Sequence, residues 1–396
     1  MTNAAAMAAS ADPAAGGARI LYLDSVRAFA MFYGIFSHGA TIANPVIHRY
    51  PGLAFIQDFS DLFRNAAFFL VSGFFTALVW SRSDWRRYLR NRVEVLAIPL
   101  VASLLTIAPI TNWLIHSWHN GWMSLPAYLG GGWRNPTVGN DTWALHLWFL
   151  MALLCYAALT PALVAGARSR PFTRLVEAYL ACTGRWAPYA NVGLYALLVV
   201  ASLAVHDQLV RPLVAGTRLA WVARACFTFL PVFALGVVAF IHRRFLDTLA
   251  VVSPTGLLLF LAAYLLHPVI AADLPRPVER SFYWLARAGL SLFIISALIG
   301  LARRYFDRPS PRLTLAVESA YSFYLFHFTW IYVLAFLLRP LLHDLRLIYV
   351  GVVALGLPLT LLWHVLVIDR FDLLRRLYTG RRRRRGVPGV APARGS

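Results

Sequence analysis

Arg27 and His38 stand eleven residues apart in the stretch Tyr22–His38, which is otherwise mostly apolar and also holds Asp24. A guanidinium grips phosphate or carboxylate through paired N–H donors, and an imidazole takes and gives protons near neutral pH. On a helix, eleven residues make three turns plus roughly 20°, so the two side chains share one face about 16 Å apart along the axis. That is about half the hydrocarbon thickness of a bilayer. A charge at the centre of a spanning helix costs about 2.5–3.5 kcal/mol, so such residues mark function. A cation near one surface and a titratable ring deep inside suit a long ligand with an anionic head. Arg27 has two compatible readings: an ion pair with Asp24, three residues back on the same face, and a contact to the anionic head of such a ligand, with Asp24 orienting it. His38 is either a general base or a histidine hydrogen-bonded inside a bundle.

Other polar residues sit in apolar surroundings. Asp58, Asp61 and Arg64 lie close together, and Asp61 and Arg64 have the i, i+3 spacing of a local ion pair. Asp58, about two turns from Arg64, lies near the outer surface, where it could meet a ligand hydroxyl. Arg92 is followed by Glu94, which could hold a ligand-binding arginine in place. His146 has Trp143 and Trp148 beside it, and indoles either anchor at the membrane interface or stack on sugar faces. His327 lies in another apolar run, and Arg224, Arg287 and Glu318 are further charges of this kind. The histidines lack compact metal-ligand spacing with carboxylates, so no metal is expected. No Gly-rich phosphate loop occurs.

The elements that must position these residues are membrane helices. Hydrophobic residues make up 59% of the 396-residue chain and charged ones 14%, against about 25% charged in a soluble domain. Apolar stretches near 20–42, 55–80, 93–118, 143–165, 189–206, 219–241, 249–270, 282–301, 313–338 and 347–368 predict about ten spans of an all-α polytopic membrane protein. The chain divides into a disordered tail over 1–18, one transmembrane domain over 19–370 and a basic tail over 371–396. No cleavable signal peptide is expected at the amino terminus. Cys155, Cys182 and Cys226 read as free buried thiols.

The net charge of +20 comes from arginine alone, because the chain has no lysine. Its placement argues against nucleic acid. With the amino terminus inside, 25 arginines fall on the cytoplasmic side, 8 outside and 4 within spans. The positive-inside rule then puts both termini on the cytoplasmic side of the membrane. The run Arg381–Arg385 suits anionic inner-leaflet lipids.

Five stretches in order carry a resemblance. They are Leu23–His38, with its arginine, ten residues and histidine; Phe68-Phe69-Leu70-Val71-Ser72-Gly73-Phe74; Arg92-Val93-Glu94 with Ile98-Pro99; His146-Leu147-Trp148-Phe149-Leu150; and Ser322-Phe323-Tyr324-Leu325-Phe326-His327. Over roughly residues 20 to 370 the chain resembles the membrane-bound acyltransferase-3 family, and within it the group that puts succinyl groups on periplasmic glucans. The resemblance implies O-acyl transfer across the membrane from cytoplasmic succinyl-coenzyme A, with Arg27 and Arg92 meeting the donor. His38 would be the base, Asp24 would support the catalytic pair, and Asp58, Arg64, His146 and His327 would contact acceptor or acyl group. A succinyl group ends in a carboxylate, for which Arg64, Arg224 or Arg287 could select, and the sequence does not choose among them. The rivals are an acetyltransferase of the same fold acting on another envelope polysaccharide, and a transporter of polysaccharide or lipid-linked sugar.

Overall fold

A computed structural model describes residues 20–131, 143–271 and 273–380. The amino-terminal tail, the middle of the longest loop and the Arg381–Arg385 run lie outside the described residues. Within them there are only helices and connecting turns. The first six helices are α1 (Leu21–Ala40), α2 (Pro51–Ser81), α3 (Trp85–Arg92), α4 (Ile98–Leu105), α5 (Ile107–Asn120) and α6 (Leu125–Gly130). Next come α7 (Trp148–Arg168), α8 (Arg170–Thr183), α9 (Ala187–Val205), α10 (Arg211–Val214), α11 (Ala220–Ile241) and α12 (Arg243–Leu249). The chain closes with α13 (Pro254–Ile270), α14 (Arg276–Tyr305), α15 (Pro311–Leu338), α16 (Leu345–Trp363) and α17 (Asp372–Thr379).

Local chemistry sets several of the helix starts. Ser253-Pro254 opens α13 and Ser310-Pro311 opens α15. In each, the serine hydroxyl caps a backbone N–H, and the proline occupies the first turn, where its missing donor costs nothing. Asp84 caps α3 by accepting from the Arg87 N–H at 3.0 Å, which holds its carboxyl below the usual carboxylate range.

Among the described residues, seven helices are long and apolar enough to cross a membrane, or up to nine if each of two bent pairs is one span. The protein is therefore an all-α polytopic membrane protein. These nine coincide with nine of the ten apolar stretches read from the sequence. Two are bent, by 44° at Leu105–Ile107 and by 59° between α12 and α13, and the 189–206 stretch belongs to a longer helical run, Arg170–Val214. The tenth stretch is α1, 20 residues long, which falls short on apolarity because it carries Asp24, Arg27 and His38.

That helix stands inside the bundle, packed by α2, α14, α15 and α16. Two apolar clusters meet on it. One takes Leu23, Val26 and Met31 together with α2, α7, α11 and α14; the other takes Ile35 and Ala40 together with α5, α15 and α16. Across the first cluster α2 and α11 touch backbone to backbone. A Cβ on Gly73 would lie 2.0 Å from the Phe233 carbonyl oxygen, and one on Gly236 would lie 1.9 Å from that of Leu70. Only glycine fits both positions, which explains the glycine of the Phe68–Phe74 stretch. The free-thiol expectation needs correction on burial. All three cysteines are free, but Cys155 and Cys182 are exposed on outward helix faces and Cys226 is half-buried.

Candidate active site

Where the two apolar clusters meet, a polar layer crosses the bundle. The i, i+4, i+7, i+11 positions of α1 put Arg27, Met31, Gly34 and His38 on one stripe. Around the deep end of that stripe lie three imidazoles. The ring centroids of His38 and His327 are 5.3 Å apart, those of His38 and His146 6.0 Å, and those of His146 and His327 5.5 Å. Phe328 closes the group, 4.6 Å from the His38 ring. Arg64 on α2 brings Nη1 to 3.5 Å from His38 Nε2, the outer limit of a hydrogen bond. A guanidinium only donates, so this contact is made to the ring nitrogen's lone pair.

Each histidine is held differently. His327 is buried, and its Nδ1 lies 2.9 Å from the carbonyl oxygens of both Phe323 and Tyr324, one turn back on α15. Carbonyls accept, so Nδ1 carries the proton and donates, leaving the lone pair on a buried Nε2 that has no protein partner. His146 sits in a short 3-10 turn leading into α7, and both its ring nitrogens are buried without partners. Its backbone is fixed by Tyr324, whose hydroxyl donates to the His146 carbonyl at 2.6 Å. The preceding Leu145 is buried with φ of 47°, a left-handed conformation that costs a non-glycine residue about 1–3 kcal/mol and persists only where packing dictates it.

These side chains border a cavity of about 40 Å³, lined by Ala30, Met31, His38, Arg64, Asn65, Phe68, His146, Trp148, Phe149 and Tyr324. It has space for two or three waters. The lining holds one formal charge, Arg64, and no carboxylate. It runs along α1 from His38 to Ala30, one turn short of Arg27.

Arg27 makes a 2.8 Å ion pair with Asp24 and stacks on the Phe75 ring at 5.3 Å. Arg92, an electrostatic neighbour of Arg27, lies over the Tyr88 ring with its Nε buried and unpartnered. Just beyond it the helix between α3 and α4 widens to a π-turn, Val93–Ala97. Pro99 has no N–H to give Val95, four residues back, and the Tyr321 hydroxyl donates to that carbonyl instead at 2.9 Å. The two basic residues assigned to the donor thus stand together at the amino-terminal end of α1, where guanidinium donors fit phosphates.

The structure therefore brings His38, Arg64, His146 and His327 into one layer and puts Arg27, Asp24 and Arg92 at another. Asp24 is fourteen residues from His38 on the same helix, about 21 Å along the axis, and its carboxylate serves Arg27. Asp58 and Asp61 are exposed and outside the cavity lining. The expected Asp61–Arg64 ion pair does not form. Sequence reasoning missed Gly34, Asn65 and Tyr324. Gly34 lies one turn before His38, and a Cβ there would be 3.0 Å from Arg64 Nη1 and 3.3 Å from His327 Nε2. The signal available was one small residue on the Arg27–His38 stripe. Among the described residues, no group of three or more His, Cys, Asp or Glu side chains is arranged to hold a metal ion.

The acyltransferase-3 family model, described as an acyltransferase domain, matches residues 20–368. That match takes in His38, Arg64, His146 and His327 as well as Asp24, Arg27 and Arg92. The chain belongs to the acyltransferase-3 family. This acyltransferase is similar to glucans biosynthesis protein C of Salmonella heidelberg (strain SL476), at 25% identity over 326 residues that cover 78% of this chain and 81% of the relative. The glucans biosynthesis protein C of Salmonella enteritidis PT4 (strain P125109) is also 25% identical, over 332 residues with the same coverage. No solved structure matches.

Proposed function

We propose that this acyltransferase carries a succinyl group from cytoplasmic succinyl-coenzyme A to hydroxyls of a periplasmic glucan, and that both termini face the cytoplasm of the inner membrane. The observation that carries the proposal is the single stripe of α1. It leads from paired and neighbouring guanidinium groups at Arg27 and Arg92, through a cavity that begins at Ala30, to three imidazoles around His38. Donor phosphates would meet Arg27 and Arg92, and the pantetheine arm would follow the stripe to bring the thioester to His38. The His38 imidazole takes the proton of the glucan hydroxyl as the hydroxyl oxygen bonds to the thioester carbonyl carbon. The C–S bond then breaks, and the thiolate leaves with the proton that His38 held. The cavity must widen beyond about 40 Å³ to pass the arm. The relatives' name and the 25-to-8 arginine asymmetry support the acceptor and the orientation.

The test is purified protein with succinyl-coenzyme A and a soluble glucan, read by mass spectrometry. A product heavier by one succinyl group, with free coenzyme A released, is expected. Transfer of acetyl in preference to succinyl would move the assignment to an acetyltransferase, and no transfer from either donor would end the proposal. Reporters fused after Gly380 and inserted near Gly131 should report opposite sides of the membrane; finding both on one side would overturn the orientation.

A further inference from the structure

Arg64 is the one formal charge in the cavity lining, and among the described residues no carboxylate touches it; Asp61, three residues back on α2, acts on it from a distance. No carboxylate oxygen there lies within 4.0 Å of its guanidinium. Its hydrogen-bond contact is the 3.5 Å approach of Nη1 to His38 Nε2, while Nε is buried without a partner. The Nε–Nη2 edge, which grips a carboxylate by two parallel N–H bonds, is therefore left without a protein acceptor. The other two arginines in question stand elsewhere. Arg224 is exposed and paired with Asp207 at 3.3 Å, and Arg287 donates to the Tyr283 hydroxyl at 3.3 Å. Neither borders the cavity.

An uncompensated guanidinium inside a bundle costs several kcal/mol, and the surrounding backbone is shaped to keep it there. Gly34 leaves space for Nη1 where any side chain would push on it. Two anions could come to this place in an acyl transfer. One is the oxyanion that forms on the thioester carbonyl, common to every acyl group. The other is a carboxylate at the far end of the acyl chain. The side-on Nε–Nη2 edge matches the second. The geometry points to Arg64 as the residue that selects a dicarboxylic half-thioester over a neutral acyl group of equal length. This inference rests on the acyl-transfer function proposed above.

Its test compares succinyl- and butyryl-coenzyme A, which have equal chain length and differ in the terminal carboxylate. The full-length protein transfers either group to a soluble glucan, as wild type, Arg64→Gln, Arg64→Met and Arg64→Lys, with a melting temperature for each. Wild type should favour succinyl by roughly 10–100-fold in kcat/KM, the worth of a charged hydrogen-bonded contact. Arg64→Gln and Arg64→Met should lower the succinyl-to-butyryl ratio of kcat/KM by about that factor, beyond any loss the two donors share, while Arg64→Lys keeps part of the preference. An equal loss with both donors would overturn the inference and give Arg64 an oxyanion or packing role. Should the variants fail to fold, the wild-type preference still decides. A wild type indifferent to the two donors refutes the role of Arg64 and leaves acyl transfer standing. Transfer of neither group ends both.

Discussion

The two ends of α1 hold arginine in opposite circumstances. At the amino-terminal end Arg27 has a carboxylate at 2.8 Å and an aromatic ring beneath it. At the deep end, Arg64 leans in from α2 beside histidines, with no carboxylate within 4 Å. Charge pairing lowers the cost of keeping a guanidinium in a partly buried place and fixes its direction. It also means that an arriving anion must share Arg27 with Asp24. Arg64 has no carboxylate in contact, so an anion entering the cavity would meet donors that no protein carboxylate occupies. On the proposed function, the first end would hold a head group in register and the second would read a small group near the reacting atoms.

The sharpest way to break this comparison is at His38. His38→Ala should lower transfer by roughly 10²–10⁴-fold with donor affinity intact, the usual worth of a general base. A well-folded His38→Ala protein with normal turnover would remove the deep end from the chemistry. Arg27→Ala should act the other way, weakening donor binding roughly ten- to a hundredfold in equilibrium binding with coenzyme A, and Arg27→Lys should restore only part of it. Affinity unchanged in Arg27→Ala would leave that arginine a purely structural partner of Asp24.

Smaller effects sharpen the contrast. Tyr324→Phe strips the buried His146 carbonyl of its donor, which should cost about 1–3 kcal/mol in melting experiments and lower turnover with donor affinity unaffected. Gly34→Ala should press Arg64 and His327 aside by a few tenths of an ångström. Misplacement by about 1 Å costs roughly a hundredfold, so a loss of several-fold in turnover is expected. A Gly34→Ala enzyme with wild-type turnover would show that the guanidinium tolerates displacement.

What the sequence revealed follows from what is local. Length and apolarity locate spans without reference to neighbours, and helical periodicity alone sets Arg27 and His38 on one stripe. Arg64 could be named as a charge in a span, but its i−3 partner Asp61 suggested an ion pair, because spacing cannot show that Asp61 turns outward while Arg64 turns in. Asp24 was assigned to the same chemistry as His38, although fourteen residues of helix separate them. Tyr324 was hidden because its role is a bond to a carbonyl 178 residues away. Gly34 was hidden because its contribution is an absent atom, legible only once Arg64 and His327 are seen around it.

The glycine crossing of α2 and α11 has a mechanical consequence. With backbone against backbone at Gly73 and Gly236, the two helices have no side chains through which to slide or breathe, and they behave as one stiff plate. Arg64 is mounted on that plate. The three histidines stand on other segments: α1, α15 and the turn that leads into α7. Admission of the proposed donor arm would then be a movement of the histidine-bearing segments away from a stationary arginine.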